Sequence, residues 1–269
     1  MTINSKNKII EYFESGIKKK ELIGVENEKF LFFKDIGKRA DYPIVQKLLE
    51  TFSKEYDWKK INENSNLIGL KLNGKSISLE PGNQLELAGD KLNNIHEVCS
   101  ESYNFQDQLT KICNKLNLES MSVGYDPITK LNEAPNNPKE RYKIMTEEMP
   151  KNGKLSLDMM YHTCGTQINL DYLSEKDFSK KFKLSTYLTP IFIAIFSNSA
   201  IKENLSSGYL SYRAHVWQNT NRGGLPSIFF EDMDFEKYAD FSMSMPMLFI
   251  FSQNKHLSIK NKSFKDFMN

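Results

Sequence analysis

The sequence is short of arginine: only four of its 36 basic residues are arginine, and the others are lysine. Lysine is sufficient to solvate a surface, whereas the planar guanidinium group can bind a carboxylate or a phosphate through two parallel hydrogen bonds. In a chain with so little arginine, each one is therefore a better than average candidate for anion binding. The four are Arg39, Arg141, Arg213 and Arg222.

Cysteine is also scarce, with three residues in 269 and no Cys-x-x-Cys or metal-ligand spacing. Cys99 and Cys113 fall in one predicted helix, Asn93–Leu116, where the helical rise would separate them by about 21 Å, beyond disulfide reach. This usage favours a reducing compartment. Residues 1–16 lack the unbroken apolar segment of a signal peptide, so we expect a cytoplasmic protein.

Long apolar runs and an excess of one charge are missing too. The most apolar run, Leu188–Phe196, falls well short of the roughly 20 residues that span a bilayer, and it predicts a buried helix with no membrane association. The net charge of +2 gives no large basic field, so we expect no nucleic-acid partner.

Several catalytic motifs are absent. The sequence has no GxxxxGK[ST] phosphate loop, no glycine-rich dinucleotide fingerprint after a strand, and no G-x-S-x-G nucleophile element. Any use of ATP would therefore depend on metal ions and individual side chains.

Strand-like and helical segments follow one another without strict alternation, which favours an α+β fold with a largely antiparallel sheet. At ~150 residues per domain the length allows one or two domains, and a single domain over residues 1–269 is the simpler interpretation. Residues 69–89 contain three strand-like pieces separated by turns, of which Asn73-Gly74 is the stronger hairpin signal.

Two pairs of glutamates stand out. Glu26 and Glu28 lie on one face of a predicted strand over residues 22–33, and such a pair forms half of a site for a hard cation. The alternative is two solvated side chains on an exposed sheet face. Glu80 and Glu86 flank Pro81-Gly82, and a tight two-residue turn there would send them to opposite faces. A shared site requires a bulge or a wider bend.

Polar side chains mark two further segments. Residues 159–171 predict a strand whose polar face, with Gln167 and Asn169, could line a nucleotide or metal site, a polar edge strand being the alternative. Residues 208–217 bring Arg213 close to Trp217, which suits a carboxylate clamp with an aromatic wall, although a salt bridge is the commoner role of such an arginine.

Taken together and in order, these segments resemble the glutamate–cysteine ligase family of the plant and proteobacterial type. The matching text is IGVENEKF, ISLEPGNQLELAG, RYKIMTEEMPKNGKLSLDMMYHTCGTQINLD, and FSNSAIKENLSSGYLSYRAHVW with GLPSIFFEDMDFEKYADFSMSMPM. Each segment is modest alone, but the series covers nearly the whole chain. The block from Met145 to Asp171 discriminates best.

The resemblance implies a glutamine-synthetase-like open antiparallel sheet, shaped as a funnel and flanked by helices. It implies Mg²⁺- and ATP-dependent ligation of the glutamate γ-carboxylate to the cysteine amine through a γ-glutamyl phosphate, the first step of glutathione biosynthesis. Cations are needed because a carboxylate must approach a polyphosphate.

Roles carry over onto the matching positions. Arg141 and Arg213 would clamp the glutamate substrate, with Trp217 as a neighbouring wall. Gln167 would contact metal or phosphate, and Asn169 the nucleotide. The metal ligands would be Glu26, Glu28, Glu80 and Glu86.

The sequence also departs from the family pattern. Asn27 stands where the family usually has histidine, and family members continue well beyond the segment that resembles residues 256–269. The resemblance therefore implies that the C-terminal portion of the family fold is absent. The alternative functions are a related ligase with another amine acceptor and an inactive truncated glutamate- or nucleotide-binding module. Besides glutamate, cysteine and ATP, the partners to consider are a second copy of the chain, in a homodimer, and a separate C-terminal part.

Overall fold

An eleven-residue strand, β1 (Ile23–Phe33), forms the centre of the main sheet. The computed structural model describes residues 5–220, 223–253, 255–259 and 262–268, so Arg222 lies outside the described residues. The other strands are β2 (Lys59–Glu63), β3 (Asn66–Leu72), β4 (Lys75–Leu79), β5 (Leu85–Ala88), β6 (Leu118–Met121), β7 (Thr166–Leu170), β8 (Ile201–Lys202), β9 (Leu205–Ser206), β10 (Phe249–Ser252) and β11 (Lys255–Ser258).

Helices lie between the groups of strands. They are α1 (Lys6–Glu14), α2 (Tyr42–Tyr56), α3 (Ile95–Lys115), α4 (Glu140–Glu148), α5 (Ser156–His162), α6 (Glu175–Ile195), α7 (Tyr212–Gln218), α8 (Phe235–Ser244) and α9 (Phe264–Met268). The mixture of helices with an open antiparallel sheet confirms the predicted α+β class.

The main sheet has the order β2-β3-β4-β5-β1-β6, and every pairing between its strands is antiparallel. Strand β7 pairs with the first half of β1, on the edge whose second half is taken by β6. The strands β5 and β7 thus flank the segment of β1 that carries Glu26 and Glu28.

Side-chain alternation gives the sheet two different faces. Odd-numbered residues of β4 and β5, such as Ile77, Leu79 and Leu85, are fully buried in the main core with residues of α2 and α3. Because successive side chains point to opposite faces of a strand, the even-numbered Glu86 is directed away from that core. The apolar face anchors the sheet, and the polar face is free to line a site.

The predicted hairpin at Asn73-Gly74 is confirmed. Leu72 pairs with Lys75, and Asn73 and Gly74 have φ angles of 47° and 92°. Two consecutive positive φ angles are those of a type I′ turn, whose twist matches that of the flanking strands.

The connection between β4 and β5 is the wider bend that a shared glutamate site requires. Leu79 pairs with Leu85, and the backbone N–H of Glu80 donates to the carbonyl of Gln84 at 2.9 Å. The loop is therefore three residues long, Pro81 to Asn83, with Asn83 in the left-handed region at φ 59°. An odd loop length keeps Glu80 and Glu86 on the same face.

The predicted strand over residues 159–171 is wrong in its first half. Residues Ser156–His162 form helix α5, and the strand starts only at Thr166. A short apolar run fits a strand or a buried helical turn equally well, and a tertiary contact decides here. The buried Asp158 accepts a hydrogen bond from the Tyr125 hydroxyl at 2.7 Å, and this contact anchors α5 to a distant part of the chain.

The expectation of a buried helix over Leu188–Phe196 is half right. The segment forms the end of helix α6, whose first turn is capped by the Ser174 side chain, which accepts from the Asp177 N–H. Its apolar side chains are exposed, however, with Ile195 at 66% and Phe196 at 73%. Among the described residues, no helix is long and apolar enough to cross a membrane.

Candidate active site

A cavity of about 240 Å³ opens on the polar face of the sheet. The sheet contributes glutamates to its floor, α4 and α5 contribute tyrosine and methionine side chains, and α7 contributes an arginine and a tryptophan. The lining residues that matter below are Glu26, Glu28, Glu80, Glu86, Gln84, Tyr142, Thr163, Gly165, Gln167, Arg213 and Trp217. The sequence prediction that the two glutamate pairs share one site is consistent with this geometry.

Glu28 and Glu86 are directly opposite each other on β1 and β5. Burial and the nearby charges of Glu80 and Glu86 raise the pKa of Glu28 from 4.5 to about 7. The pKa of Glu86 is raised as well, first by burial and then by Glu80. Like charges facing each other across a sheet are destabilising without a compensating cation or proton.

The bend that carries Glu80 is fixed from below by Arg39. The Arg39 guanidinium is buried, donates to Asp126 Oδ2 at 2.8 Å and also donates to the carbonyl oxygen of Gly82. A Cβ on Gly82 would lie 2.6 Å from the backbone oxygen of Tyr161, so only glycine fits here. The position of Glu80 is therefore set by a rigid, buried support.

Gln84 ties the same bend to α5. Its side-chain oxygen accepts from the Gly82 N–H at 2.8 Å, and its amide nitrogen donates to the carbonyls of Met160 and Thr163 at 3.1 and 3.0 Å. This fully bonded, buried amide joins the floor of the cavity to its wall.

The loop before β7 packs closely on Glu28. The Gly165 N–H donates to Glu28 Oε2 at 2.5 Å, and the Gly165 carbonyl accepts from the Glu28 N–H at 3.0 Å. Further along, Glu26 pairs with Gln167 across β1 and β7. Asn169 Nδ2 donates to Glu26 Oε1 at 3.0 Å, and Gln167 Nε2 donates to Asn169 Oδ1 at 3.0 Å. Asn169 thus contacts the site through Glu26 and does not line the cavity.

Arg213 forms the wall opposite Glu28. Its guanidinium lies 5.5 Å from the centroid of the Trp217 ring. Its Nε atom is buried without a hydrogen-bond partner, and the charge of Glu28 attracts the guanidinium across the cavity. A Cβ on Gly165 would lie 2.8 Å from Arg213 Nη2, so the absence of a side chain there makes room for the guanidinium. This cation is available to an anionic ligand.

Arg141 stands one layer behind the cavity. It donates from Nη2 to the Tyr142 hydroxyl at 2.9 Å, and Tyr142 lines the cavity in its place. Arg141 is not among the residues that line the cavity, and the clamp expected of it stays a prediction. His215 stacks on Tyr209 with ring centroids 4.4 Å apart.

The four glutamates are spread over the cavity floor. Among the described residues, the one group of three ligating side chains with atoms within 4.8 Å of one another lies elsewhere, at Glu63, Glu140 and His256. Mg²⁺ usually binds through one or two carboxylates together with water and substrate phosphates, so a spread set of oxygen donors suits it better than a closed cage would.

Sequence reasoning missed several residues that shape the site. The scarcity of arginine marked Arg39 as a candidate for anion binding, but nothing in the sequence indicated that it lies under the bend. Tyr142 and Gln84 carried no signal, because their roles depend on contacts between segments that are far apart in the chain. Thr163 belongs to the polar face that the sequence predicted over residues 159–171.

An open antiparallel sheet whose polar face gathers carboxylates opposite an arginine is suited to bringing anionic substrates together around cations. Comparison with known proteins gives the family. The model of the glutamate-cysteine ligase family 2 (GCS2) matches residues 22–268, and the chain belongs to this family.

Curated relatives agree. Glutamate--cysteine ligase A, chloroplastic, of Oryza sativa subsp. japonica is 41% identical over 98% of this chain and 55% of its own length. The chloroplastic enzyme of Nicotiana tabacum is 40% identical over 98% and 52%, and that of Arabidopsis thaliana 37% over 97% and 51%. The chain spans about half the length of the curated relatives it matches.

The names of these relatives contradict the expectation of a cytoplasmic location. All three are named chloroplastic. Scarce, unpaired cysteine is also compatible with other reducing compartments, so the cysteine argument was too weak to select the cytosol. The prediction of a cytoplasmic protein is wrong.

Proposed function

We propose that this cavity is the site at which an ATP- and Mg²⁺-dependent ligase joins glutamate to cysteine. The observation that supports this most directly is the convergence of four glutamates, from β1, β5 and the β4–β5 bend, opposite Arg213 in one cavity. The chain's family is named for this reaction, and the relatives' names support a plastid location for it.

The residues present fit magnesium. The donor set consists of carboxylate oxygens with the Gln167 side-chain oxygen beside them, and hard cations prefer oxygen ligands. Burial and mutual repulsion raise the pKa of Glu28, so a divalent cation would relieve an existing electrostatic cost. When bound, the cation supplies charge neutralisation for the phosphates of ATP. The proposed ligands are Glu26, Glu28, Glu80, Glu86 and Gln167.

Arg213 is proposed to bind a carboxylate of the glutamate substrate. Its Nε has no partner, and the guanidinium is held against Gly165 and Trp217, so little rearrangement is needed for a two-point contact. Arg141 acts from behind Tyr142, where its charge favours an anion in the cavity. Asn169 orients Glu26, the carboxylate that it contacts, and helps to form the nucleotide side of the site.

The reaction requires two bond exchanges. A γ-carboxylate oxygen of glutamate forms a bond to the γ-phosphorus of ATP while the bond to ADP breaks, which gives a γ-glutamyl phosphate. The cysteine nitrogen then bonds to the acyl carbon, phosphate leaves, and the nitrogen loses a proton. The part of this chain is to hold the two anions together and to orient them.

The test is ADP release by the purified chain with Mg²⁺ and ATP. The proposal predicts release that requires both glutamate and cysteine, with γ-glutamylcysteine identified by mass spectrometry. ADP release with glutamate and a different amine, but not with cysteine, would show that the enzyme is a ligase with another amine acceptor. ADP release that ignores glutamate would overturn the proposal.

A second candidate function is a module that binds glutamate or nucleotide without turnover, since the same cavity of carboxylates and arginine would also bind these ligands. Calorimetry separates the two. Binding of Mg·ATP and glutamate to the chain without product would support the module, whereas turnover by residues 1–269 alone would exclude it.

A further inference from the structure

The segment that precedes and starts α4 is bonded to the strand end that carries Glu80. Asn137 Nδ2 donates to the Glu80 carbonyl at 2.5 Å, and the Asn137 N–H donates to the Pro81 carbonyl at 3.4 Å. The buried Lys139 Nζ donates to the Leu79 carbonyl at 2.7 Å. Three hydrogen bonds from Asn137 and Lys139 thus hold the backbone at Glu80 in place.

Tyr142 adds a link at the level of side chains. Its hydroxyl is 3.2 Å from Glu80 Oε2 and 3.3 Å from the Leu79 carbonyl, and it accepts from Arg141 Nη2 at 2.9 Å. The tyrosine is 4% exposed, so water competes little for these contacts. One hydroxyl group therefore contacts both a glutamate of the cavity floor and an arginine behind it.

Hydrogen-bond capacity decides which of these contacts the hydroxyl proton makes. A phenol hydroxyl has one proton to donate, and the Tyr142 oxygen already accepts a hydrogen bond from Arg141. The Leu79 carbonyl already accepts a hydrogen bond from Lys139. A carboxylate is a stronger acceptor than a carbonyl, so the hydroxyl proton of Tyr142 is directed to Glu80. The consistent arrangement is a chain in which Arg141 donates to Tyr142 and Tyr142 donates to Glu80.

We propose that Tyr142 is a positioning residue for the ligase reaction, whose hydroxyl couples the carboxylate of Glu80 to the guanidinium of Arg141. Through this hydroxyl, the metal-binding floor and the arginine behind the cavity are oriented together. The inference rests on the proposed function and adds to it a residue for which neither the sequence motifs nor the glutamate pattern gives a role.

The test compares Tyr142→Phe with Tyr161→Phe. Tyr161 is a matched control, since it is also buried and its hydroxyl contacts Thr146 Oγ1 at 2.6 Å. Thr146 lies in α4, the helix that carries Tyr142. Mn²⁺, a probe for the magnesium site, is titrated into each protein, and KM for glutamate and kcat are measured. For Tyr142→Phe we expect Mn²⁺ binding about tenfold weaker and KM about tenfold higher, with kcat changed less. For Tyr161→Phe, Mn²⁺ binding, KM and kcat should all match the wild type.

Glu80→Gln in the Tyr142→Phe background sharpens the test. If the hydroxyl acts through Glu80, the double variant should bind Mn²⁺ about as weakly as Glu80→Gln alone. Urea unfolding of both tyrosine variants separates positioning from folding. Equal losses of stability with Mn²⁺ affinity unchanged in Tyr142→Phe would overturn the proposal.

The outcomes also separate this inference from the proposed function. A wild-type chain that binds Mn²⁺ tightly but makes no product would contradict the ligase activity, while the effect of Tyr142→Phe on Mn²⁺ affinity would still decide the positioning role. Normal ligase kinetics and normal Mn²⁺ binding in Tyr142→Phe would leave the ligase intact and refute the positioning role.

Discussion

Glu28 and Glu86 lie directly opposite each other on β1 and β5, with both carboxylates directed to the same cavity. Neither makes an ion pair within the described residues, and the nearest compensation is the Gly165 N–H on Glu28 and the Ser78 hydroxyl on Glu86. A fold that retains such a pair without a fixed cation is suited to receiving one.

The first prediction concerns stability and pH in the absence of metal. Glu28 has a pKa of about 7 in the folded protein against an ordinary value of 4.5. Glu28 therefore stays protonated to a higher pH in the folded state than in the unfolded chain. Stability is therefore lost as the pH rises from 4.5 to 7, and the loss is complete above 7. Glu28→Gln should stabilise the protein by up to about 3 kcal/mol at pH 8 and by almost nothing at pH 4.

Urea unfolding of wild type and Glu28→Gln at both pH values, in the presence of a chelator, measures this difference. Glu119→Gln, on the edge strand β6 outside the cavity, serves as the control and should show no such dependence. A difference between wild type and Glu28→Gln that is the same at pH 4 and pH 8 would show that the Glu28 environment is misdescribed.

The second prediction concerns metal dependence. Glu80→Gln keeps the size of the side chain and removes its charge, so the Mg²⁺ concentration for half-maximal activity should rise about tenfold or more. Glu14→Gln, on an exposed position of α1, should leave the Mg²⁺ titration unchanged. If the two variants titrate alike, Glu80 does not bind the metal.

The third prediction concerns the room beside Arg213. In Gly165→Ala the new methyl group would lie 2.8 Å from Arg213 Nη2, so the guanidinium must move. A shift of this kind in a substrate-positioning group typically costs tenfold or more, and we expect KM for glutamate to rise by about that factor. Gly24→Ala is the control, since its Cβ would meet no atom closer than 3.6 Å. An unchanged KM in Gly165→Ala would argue against Arg213 as the glutamate contact.

The fourth prediction concerns the support under the bend. Arg39→Met would leave Asp126 buried without its partner, and the loss of one member of a buried ion pair typically costs about 3–5 kcal/mol. Lys183→Met breaks the exposed pair with Asp232 and should cost less than about 1 kcal/mol. Urea unfolding compares them. Equal, small losses would mean that the buried pair does not hold the bend.

The sequence predicted the parts of the fold that depend on local pattern. Alternation identified β1 and the common face of Glu26 and Glu28, and Asn73-Gly74 marked the hairpin between β3 and β4. Strand alternation also showed that a shared glutamate site needs a wider bend after Glu80, as the structure has it. These features depend on neighbours in the chain, so a single sequence contains the information.

The parts that failed depend on contacts between distant segments. Helix α5 is anchored by the contact of Asp158 with Tyr125, 33 positions earlier, and Tyr142 contacts Glu80, 62 positions earlier. The apolar end of α6 failed for a related reason: an apolar pattern indicates a tendency to be buried, but burial needs a second surface. No such surface covers Ile195 and Phe196 among the described residues.

The most direct test of the central claim is the location of bound metal. Crystals grown with Mn²⁺ and a non-hydrolysable ATP analogue would show each ion by its anomalous scattering. We predict ions on the cavity floor, coordinated by oxygens of Glu26, Glu28, Glu80 and Glu86 and by the phosphates. Ions bound only elsewhere, for example at Glu63, Glu140 and His256, with those four glutamates uncoordinated, would contradict the account.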